Sequence, residues 1–125
     1  MLYLEGDPDQ AAYVERLLRA AGYQVTVCID PVRFGETVAA VAPDLVLMET
    51  VLPGVRGVDV ARALRQEPRY RTLPLLFLTT TVDVDRAAVE ADGWLKKPID
   101  PRLLLATIDN HLQRAQMRAE MRELD

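Results

Sequence analysis

The sequence predicts an α/β fold in which a five-stranded parallel sheet is covered by helices on both faces. Short apolar runs, typical of strands buried on both faces, alternate with segments of helical apolar spacing. Three Asp-Pro pairs mark helix starts, because Asp is a good N-cap and Pro is favoured in the first turn. Strands that alternate with helices form parallel sheets, and right-handed crossovers place the helices in two outer layers. We therefore expect a three-layer α/β/α sandwich.

The predicted strands and helices alternate along the chain, beginning with a strand at its first residues. Residues 1–4 form an apolar strand, and Asp7-Pro8 starts a helix that Gly22 stops. Residues 23–29 are rich in β-branched side chains and predict the second strand, after which Asp30-Pro31 starts a helix with a weaker apolar stripe. The remaining predicted elements are strands at 45–48, 75–78 and 94–97, a loop at 67–72, and helices around 58–64, at 83–91 and from Asp100-Pro101 onward.

Composition and charge indicate one globular domain. Of the 125 residues, 50% are apolar and 27% are charged, enough for a single core. The net charge is -4 and no Lys/Arg block is present, so we expect no direct nucleic-acid binding.

Cys28 is the one cysteine of the chain, which excludes a disulfide framework. It lies in an apolar run, which favours a buried, inert thiol. The early acid Glu5 and the short apolar runs argue against a signal peptide and a membrane helix, so we expect a cytoplasmic protein.

The last helix has no stop signal where a compact domain would end. We therefore divide the chain into a domain at 1–112 and a helical extension at 113–125. The last helix has two heptad-like stripes, which leave two alternatives open for its end: a solvated terminal helix, or a linker or dimerising coiled coil. The stripes are Ile108, Leu112, Ala115 and Ala119, and Met117, Met121 and Leu124.

Four polar residues stand just after predicted strands, at their carboxyl ends. Taken alone, Glu49 is best explained as a solubilising acid that closes a strand. Ligands of open α/β sheets bind in the crevice at the carboxyl ends of the strands, so the four residues together predict a shared pocket. They are Glu5, Glu49, Thr79 and Lys97.

The order of these motifs resembles the receiver domain of bacterial two-component response regulators, from Leu2 to about Leu112. The resemblance implies a flavodoxin-like sheet of order 2-1-3-4-5 and a cis peptide bond before Pro98. The features that carry it are Glu5-Gly6-Asp7-Pro8, Pro43-Asp44-Leu45-Val46-Leu47, Leu52-Pro53-Gly54 with Gly57, Leu78-Thr79, and Lys97-Pro98.

The resemblance also implies a chemistry. In such receivers an aspartate at the end of the third strand accepts a phosphoryl group from a histidine kinase, acids hold Mg²⁺, and a Lys and a Thr contact the phosphoryl oxygens. The positions carried over are Glu49 for the phosphoacceptor, Glu5 and Gly6 for the two metal acids, the Val51 carbonyl for the backbone metal ligand, Thr79 for the switch hydroxyl, Lys97 for the phosphate-contacting lysine, and Trp94 for the aromatic switch residue.

This chain departs from the family pattern in the chemistry itself. Glu49 is one methylene longer than Asp, which moves its carboxylate by about 1.5 Å, and a misplacement of 1 Å can cost a reaction on the order of a hundredfold. Gly6 brings no carboxylate, and Asp7 is better assigned to capping the first helix. We therefore expect that no cofactor is required, that any Mg²⁺ binds only weakly, to Glu5, Glu49 and the Val51 carbonyl, and that phosphorylation is disfavoured.

Two hypotheses for Glu49 remain open from the sequence. The longer carboxylate reaches toward Lys97 or Thr79 and holds the domain in one signalling state without phosphate. Alternatively, Glu49 and Lys97 form an ion pair that only holds strand ends together.

Two further features bear on partners and on switching. Thr79 and Lys97 are 18 positions apart (97 − 79), where the family carries about one helical turn more, so the fourth helix and the partner face beside it should be altered. Trp94 is either a half-buried anchor or a moving switch, and His111 is expected to be solvated, without a role.

The function expected from the sequence is that of an atypical receiver, not an enzyme, that signals by protein contact. Its partner would be a histidine kinase or an output domain, and a homodimer would use the face of the fourth helix, fifth strand and fifth helix, or the terminal helix. The alternative is a phosphorylatable, Mg²⁺-dependent receiver that controls an output domain such as a diguanylate cyclase. A flavodoxin-like cofactor enzyme is disfavoured, because Gly6-Asp7-Pro8 offers one glycine and no phosphate-binding loop.

Overall fold

The computed structural model describes residues 1–79 and 91–124. In this part of the chain five parallel strands form one sheet, and two short antiparallel strands form a separate hairpin. The sheet strands are β1 (Leu2–Leu4), β2 (Thr26–Cys28), β3 (Val46–Glu49), β6 (Leu75–Thr79) and β7 (Gly93–Lys96), and the hairpin strands are β4 (Val51–Leu52) and β5 (Val55–Arg56). The sheet order is β2-β1-β3-β6-β7, which is the predicted 2-1-3-4-5 order once the hairpin is set aside.

The helices cover both faces of this sheet, as predicted. Residues of β3 alternate between the faces: Val46 and Met48 pack into one apolar cluster, and Leu47 into the other. The first cluster is completed by α2 (Phe34–Val41) and α3 (Gly57–Gln66), and the second by α1 (Pro8–Ala20) and α4 (Pro101–Leu124). The fold is therefore the predicted three-layer sandwich.

All three Asp-Pro pairs begin helical segments. The carboxylates of Asp7, Asp30 and Asp100 each accept a hydrogen bond of 3.0 Å from the backbone N–H two residues later. At Asp30 the segment is first a 3-10 turn, Pro31–Arg33, and α2 begins only at Phe34. The capping predictions are confirmed, and the predicted second helix starts later than expected.

The bounds of two strands and the presence of one hairpin differ from the sequence prediction. The second strand is shorter than residues 23–29, because the Tyr23 amide donates to the Leu18 carbonyl at the end of α1 and Ile29 lies past the last pair. The fifth strand ends at Lys96, one residue before Lys97. The β4–β5 hairpin was not predicted, and its turn uses Gly54 in the left-handed region at φ 72°.

Several other predictions have clear outcomes. The peptide bond between Lys97 and Pro98 is cis, as the resemblance implied. The terminal helix continues to Leu124 without a break, and Met117 and Met121 are exposed on it. Cys28 is buried, as expected. Residues 83–90 of the helix predicted at 83–91, where its shortening was expected, lie outside the described part of the chain.

None of the described helices is both long and apolar enough to cross a bilayer.

The glycine that begins α3 sets how closely this helix approaches the end of β3. A Cβ at Gly57 would overlap the Glu49 carbonyl oxygen and lie 3.0 Å from Thr50 Cα, both backbone atoms that cannot rotate away. We predict that Gly57→Ala lowers the free energy of unfolding by about 2 to 3 kcal/mol through overpacking. Urea denaturation followed by circular dichroism measures this change.

Gly35 supplies the matched control. It lies in α2, and a Cβ there would meet nothing within 4 Å. Gly35→Ala should raise stability by about 0.5 to 1 kcal/mol, because alanine is the better helix former. Equal effects of the two substitutions would contradict the close approach at Gly57.

Candidate functional site

The carboxyl ends of the parallel strands bring the four predicted site residues to one edge of the sheet. Glu5 stands after β1, Glu49 ends β3, Thr79 ends β6 and Lys97 stands after β7. Glu5 is 3% exposed, and Glu49 and Thr79 are each 4% exposed. Glu5, Glu49 and Lys97 also line an open cleft with the exposed Val51, whose carbonyl was the predicted backbone metal ligand. The predicted gathering at one edge is confirmed.

Lys97 places its ammonium between the two glutamates. Its Nζ donates a hydrogen bond of 3.0 Å to Glu5 Oε2 and lies 2.5 Å from Glu49 Oε2. The second contact is an ion pair without hydrogen-bond geometry, because the buried Glu49 Oε2 has no hydrogen-bond partner among the described residues. Burial alone would lower the pKa of Lys97, but the two glutamates outweigh it and raise this pKa above its ordinary value. The ammonium therefore stays charged at the centre of the pocket.

Glu5 is held toward Lys97 by two neutral donors. The Tyr3 hydroxyl donates to Glu5 Oε2 at 3.0 Å, and the Asp7 backbone N–H donates to Oε1 at 3.2 Å. Burial, and then the charge of Glu5, raise the pKa of Tyr3 far above its ordinary value, so its hydroxyl keeps its proton. Sequence reasoning missed Tyr3. The available signal was a tyrosine in a strand buried on both faces, because a buried hydroxyl needs a partner.

Thr50 was also missed, and it lies between Glu49 and Thr79. Glu49 Oε1 accepts from the Thr50 N–H at 2.9 Å, the Thr50 hydroxyl at 3.0 Å and the Val51 N–H at 3.2 Å. The Thr50 and Thr79 hydroxyls are 2.9 Å apart. Because the single Thr50 proton goes to the carboxylate, Thr79 donates to Thr50. Of the two contacts expected for Glu49, the one to Lys97 is direct and the one to Thr79 runs through Thr50.

The space beside Gly6, where the resemblance implies a second metal acid, is filled by a neighbouring loop. A Cβ at Gly6 would overlap the Pro53 ring, with Cγ at 2.8 Å and Cδ still closer. The adjacent Asp7 carboxylate accepts from the Asp9 N–H and caps α1, as the sequence predicted. An acidic side chain at position 6 would therefore require Pro53 to move.

These contacts test whether the residues fit the Mg²⁺ that the resemblance implies. Mg²⁺ needs near-octahedral oxygen ligands at about 2.0–2.1 Å. The two carboxylates of the pocket already contact an ammonium, and Gly6, where the resemblance implies a second metal acid, has no carboxylate. Within residues 1–79 and 91–124, no group of three or more His, Cys, Asp and Glu side chains is placed to hold a metal. The pocket as arranged does not fit the metal.

The aromatic and imidazole candidates lie outside this cluster. Trp94 is half-buried and stacks on Phe77 of the neighbouring strand, with ring centroids 4.5 Å apart, as expected of an anchor. Its role as a switch stays a prediction. His111 was expected to be solvated, but the structure has it half-buried. Its Nδ1 lies 2.8 Å from the Thr107 carbonyl and its Nε2 lies 3.2 Å from the Asp92 carbonyl.

Comparison with known proteins agrees with the fold and motifs. The family model for the response regulator receiver domain matches residues 1–109. The DNA-binding response regulator MtrA of Mycolicibacterium smegmatis is 34% identical over 115 residues, which cover 91% of this chain and 50% of MtrA. This chain therefore spans about half the length of MtrA, and 18% of the length of two other curated relatives.

Solved structures match over nearly the whole chain. The BeF₃-activated receiver domain of RstA from Klebsiella pneumoniae is 30% identical with a TM-score of 0.78, covering 89% of this chain and 96% of that one. The N-terminal domain of a response regulator/sensory box/GGDEF three-domain protein from Carboxydothermus hydrogenoformans is 27% identical with a TM-score of 0.81, covering 94% and 97%. The matched family region contains all four strand-end residues, and this chain belongs to the response regulator receiver domain family.

Proposed function

We propose that this chain is an atypical receiver that signals by protein contact, without transferring a phosphoryl group to Glu49. The observation that carries the proposal is the engagement of both Glu49 oxygens. Oε1 accepts three hydrogen bonds from Thr50 and Val51, and Oε2 faces the Lys97 ammonium. A carboxylate oxygen that attacks phosphorus has to be oriented toward the incoming group. Glu49 would have to give up its present contacts to do this.

The second support for the proposal is the charge of the pocket. In the family reaction, Mg²⁺ and the phosphate-contacting lysine together offset the charge that develops on the phosphoryl oxygens. Here Lys97 is paired with the pocket's own glutamates and offsets one of their two negative charges, and the arrangement of the described residues does not fit the metal. We therefore propose that no cofactor is required for the signalling role and that the chain is not an enzyme.

The proposed partners are those of the family, a histidine kinase or an output domain. The relative with a GGDEF domain and the DNA-binding relative MtrA carry receivers in longer proteins. We propose residues 1–112 as the receiver unit and 113–125 as a helical extension that contacts an output domain or a second copy. Met117, Met121 and Leu124 are exposed there. A homodimer would use the end of this helix, at 113–125, or the face formed by β7 and the part of α4 that packs on the sheet. The site of action would be the cytoplasm.

The proposal predicts the outcome of chemical phosphorylation. Wild-type protein incubated with Mg²⁺ and a small acyl-phosphate donor should show no phosphoryl adduct by intact-mass measurement. A Gly6→Asp, Glu49→Asp, Pro53→Ala variant should show one, because it restores the acceptor and the second acid and removes the ring atoms that Gly6 accommodates.

The matched control is Gly6→Asp and Glu49→Asp with Pro53 retained. The Pro53 ring should displace the new side chain at position 6, so we expect less adduct than in the triple variant. An adduct on wild-type Glu49, located by peptide mapping, would refute the proposal. The protein would then be the alternative, a phosphorylatable receiver that depends on Mg²⁺.

A second prediction concerns stability and pH. Lys97→Met leaves two buried carboxylates without their cation, so the free energy of unfolding at pH 7 should fall by about 3 to 5 kcal/mol. Because folding raises the pKa of Lys97, its contribution is fully present below pH 10.5 and is lost as the pH rises through the higher folded-state value. Urea denaturation of both proteins between pH 5 and pH 11 measures the difference.

The control for this experiment is Lys96→Met, which removes the same charge from the exposed neighbouring residue. Its effect should stay within about 0.5 kcal/mol. A Lys97→Met protein as stable as Lys96→Met would show that the ion pairs contribute little to folding.

A further inference from the structure

We propose that the Lys97 ammonium is the resident cation of the pocket and that it keeps divalent cations out of the position between Glu5 and Glu49. This inference rests on the proposed function and extends it to the pocket's choice of cation. Removing the ammonium should therefore create a metal site that the wild-type protein lacks.

The first step is the position of the ammonium. It contacts the Oε2 atom of each glutamate, at 3.0 Å for Glu5 and 2.5 Å for Glu49. Both carboxylates are nearly inaccessible to water, so their charge has to be balanced inside the protein. The Lys97 side chain is itself only 10% exposed. The ammonium thus stands where a cation bridging the two carboxylates would bind.

The second step is that the ammonium and a divalent cation exclude each other. A metal bound to the same two oxygens would lie within a few ångströms of Nζ, and like charges repel strongly at a site shielded from water. A third carboxylate could offset this repulsion, but Gly6 has none and Pro53 fills the space beside it. The Asp7 carboxylate is engaged at the start of α1.

The third step is the state left after the ammonium is removed. Glu5 remains fixed by the Tyr3 hydroxyl and the Asp7 N–H, and Glu49 by the donors on its Oε1. The two Oε2 atoms would then face one gap without a counter-ion. Carboxylate oxygens in this arrangement suit hard divalent cations such as Mg²⁺ and Mn²⁺.

The test is cation binding by the whole chain with Lys97→Met and with the control Lys96→Met. The concentration of free Mn²⁺ is measured from its electron paramagnetic resonance signal. Mg²⁺ binding is measured from the shift in the protein's thermal unfolding midpoint. Lys97→Met should bind Mn²⁺ at least tenfold more tightly than wild type and Lys96→Met. Its midpoint should rise by about 5 °C at a Mg²⁺ concentration tenfold above the dissociation constant.

A double variant, Lys97→Met with Glu49→Gln, checks that the gained site is this one. It should lose the gained binding, because one of the two carboxylates is gone. The inference would be overturned if wild type bound Mn²⁺ as tightly as Lys97→Met, or if Lys97→Met gained no affinity over wild type. It would also be overturned if the double variant kept the gained affinity.

Folding of the variant does not prevent the test. If Lys97→Met is unfolded without metal, refolding on addition of Mn²⁺, measured by circular dichroism, supports the inference, and failure to refold at saturating Mn²⁺ overturns it. The outcome is separate from that of the proposed function. A phosphoryl adduct on wild type would refute the proposed function whatever the cation measurements give. If wild type shows no adduct, a failed cation test overturns only the inference about Lys97, and the proposed function stands.

Discussion

The pocket depends on the balance of one ammonium against two buried carboxylates. A buried charge is costly unless it is paired and hydrogen-bonded, and Lys97 alone cannot satisfy four carboxylate oxygens. The remaining demand is met by neutral donors: the Tyr3 hydroxyl and Asp7 N–H at Glu5, and the N–H groups and hydroxyl after β3 at Glu49. These donors lie on β1, on the turn after β1 and on the turn after β3. The charges therefore tie together the carboxyl ends of the central strands.

The turn after β3 is held in place by close packing at two glycines. Gly6 lets the Pro53 ring approach the end of β1, and Gly57 lets the start of α3 approach the end of β3. Both contacts fix the segment that carries Thr50 and Val51, whose N–H groups donate to Glu49. A side chain at either glycine would thus disturb the Glu49 carboxylate without touching it. The absence of a carboxylate at position 6 and the close approach of Pro53 both follow from the same residue, Gly6.

Periodicity and topology can be read from the sequence, whereas the direction in which a single side chain points cannot. Glu5, Glu49, Thr79 and Lys97 were assigned correctly to one edge because parallel strands end together. Tyr3 and Thr50 were not found, because their polar atoms act inside a strand and a turn whose patterns are apolar or unremarkable. The β4–β5 hairpin was missed because strands of two residues have no periodicity. The overlap between a side chain at Gly6 and Pro53 needs coordinates, since 46 positions (53 − 6 − 1) separate the two residues in the chain.

The fixed charge of the pocket limits how such a domain can carry a signal. A ligand or modification shifts a conformational equilibrium only by its differential interaction with the two states. A phosphoryl group and its metal would supply that difference by changing the pocket's charge, but here the internal ammonium already pairs with both glutamates. The charge that Lys97 brings is part of the chain and does not vary with the state of a kinase. Under the proposed function, the differential interaction comes from a partner that binds the surface and prefers one arrangement. This restriction leads to the proposed function, because contact is then the remaining way to bias the domain.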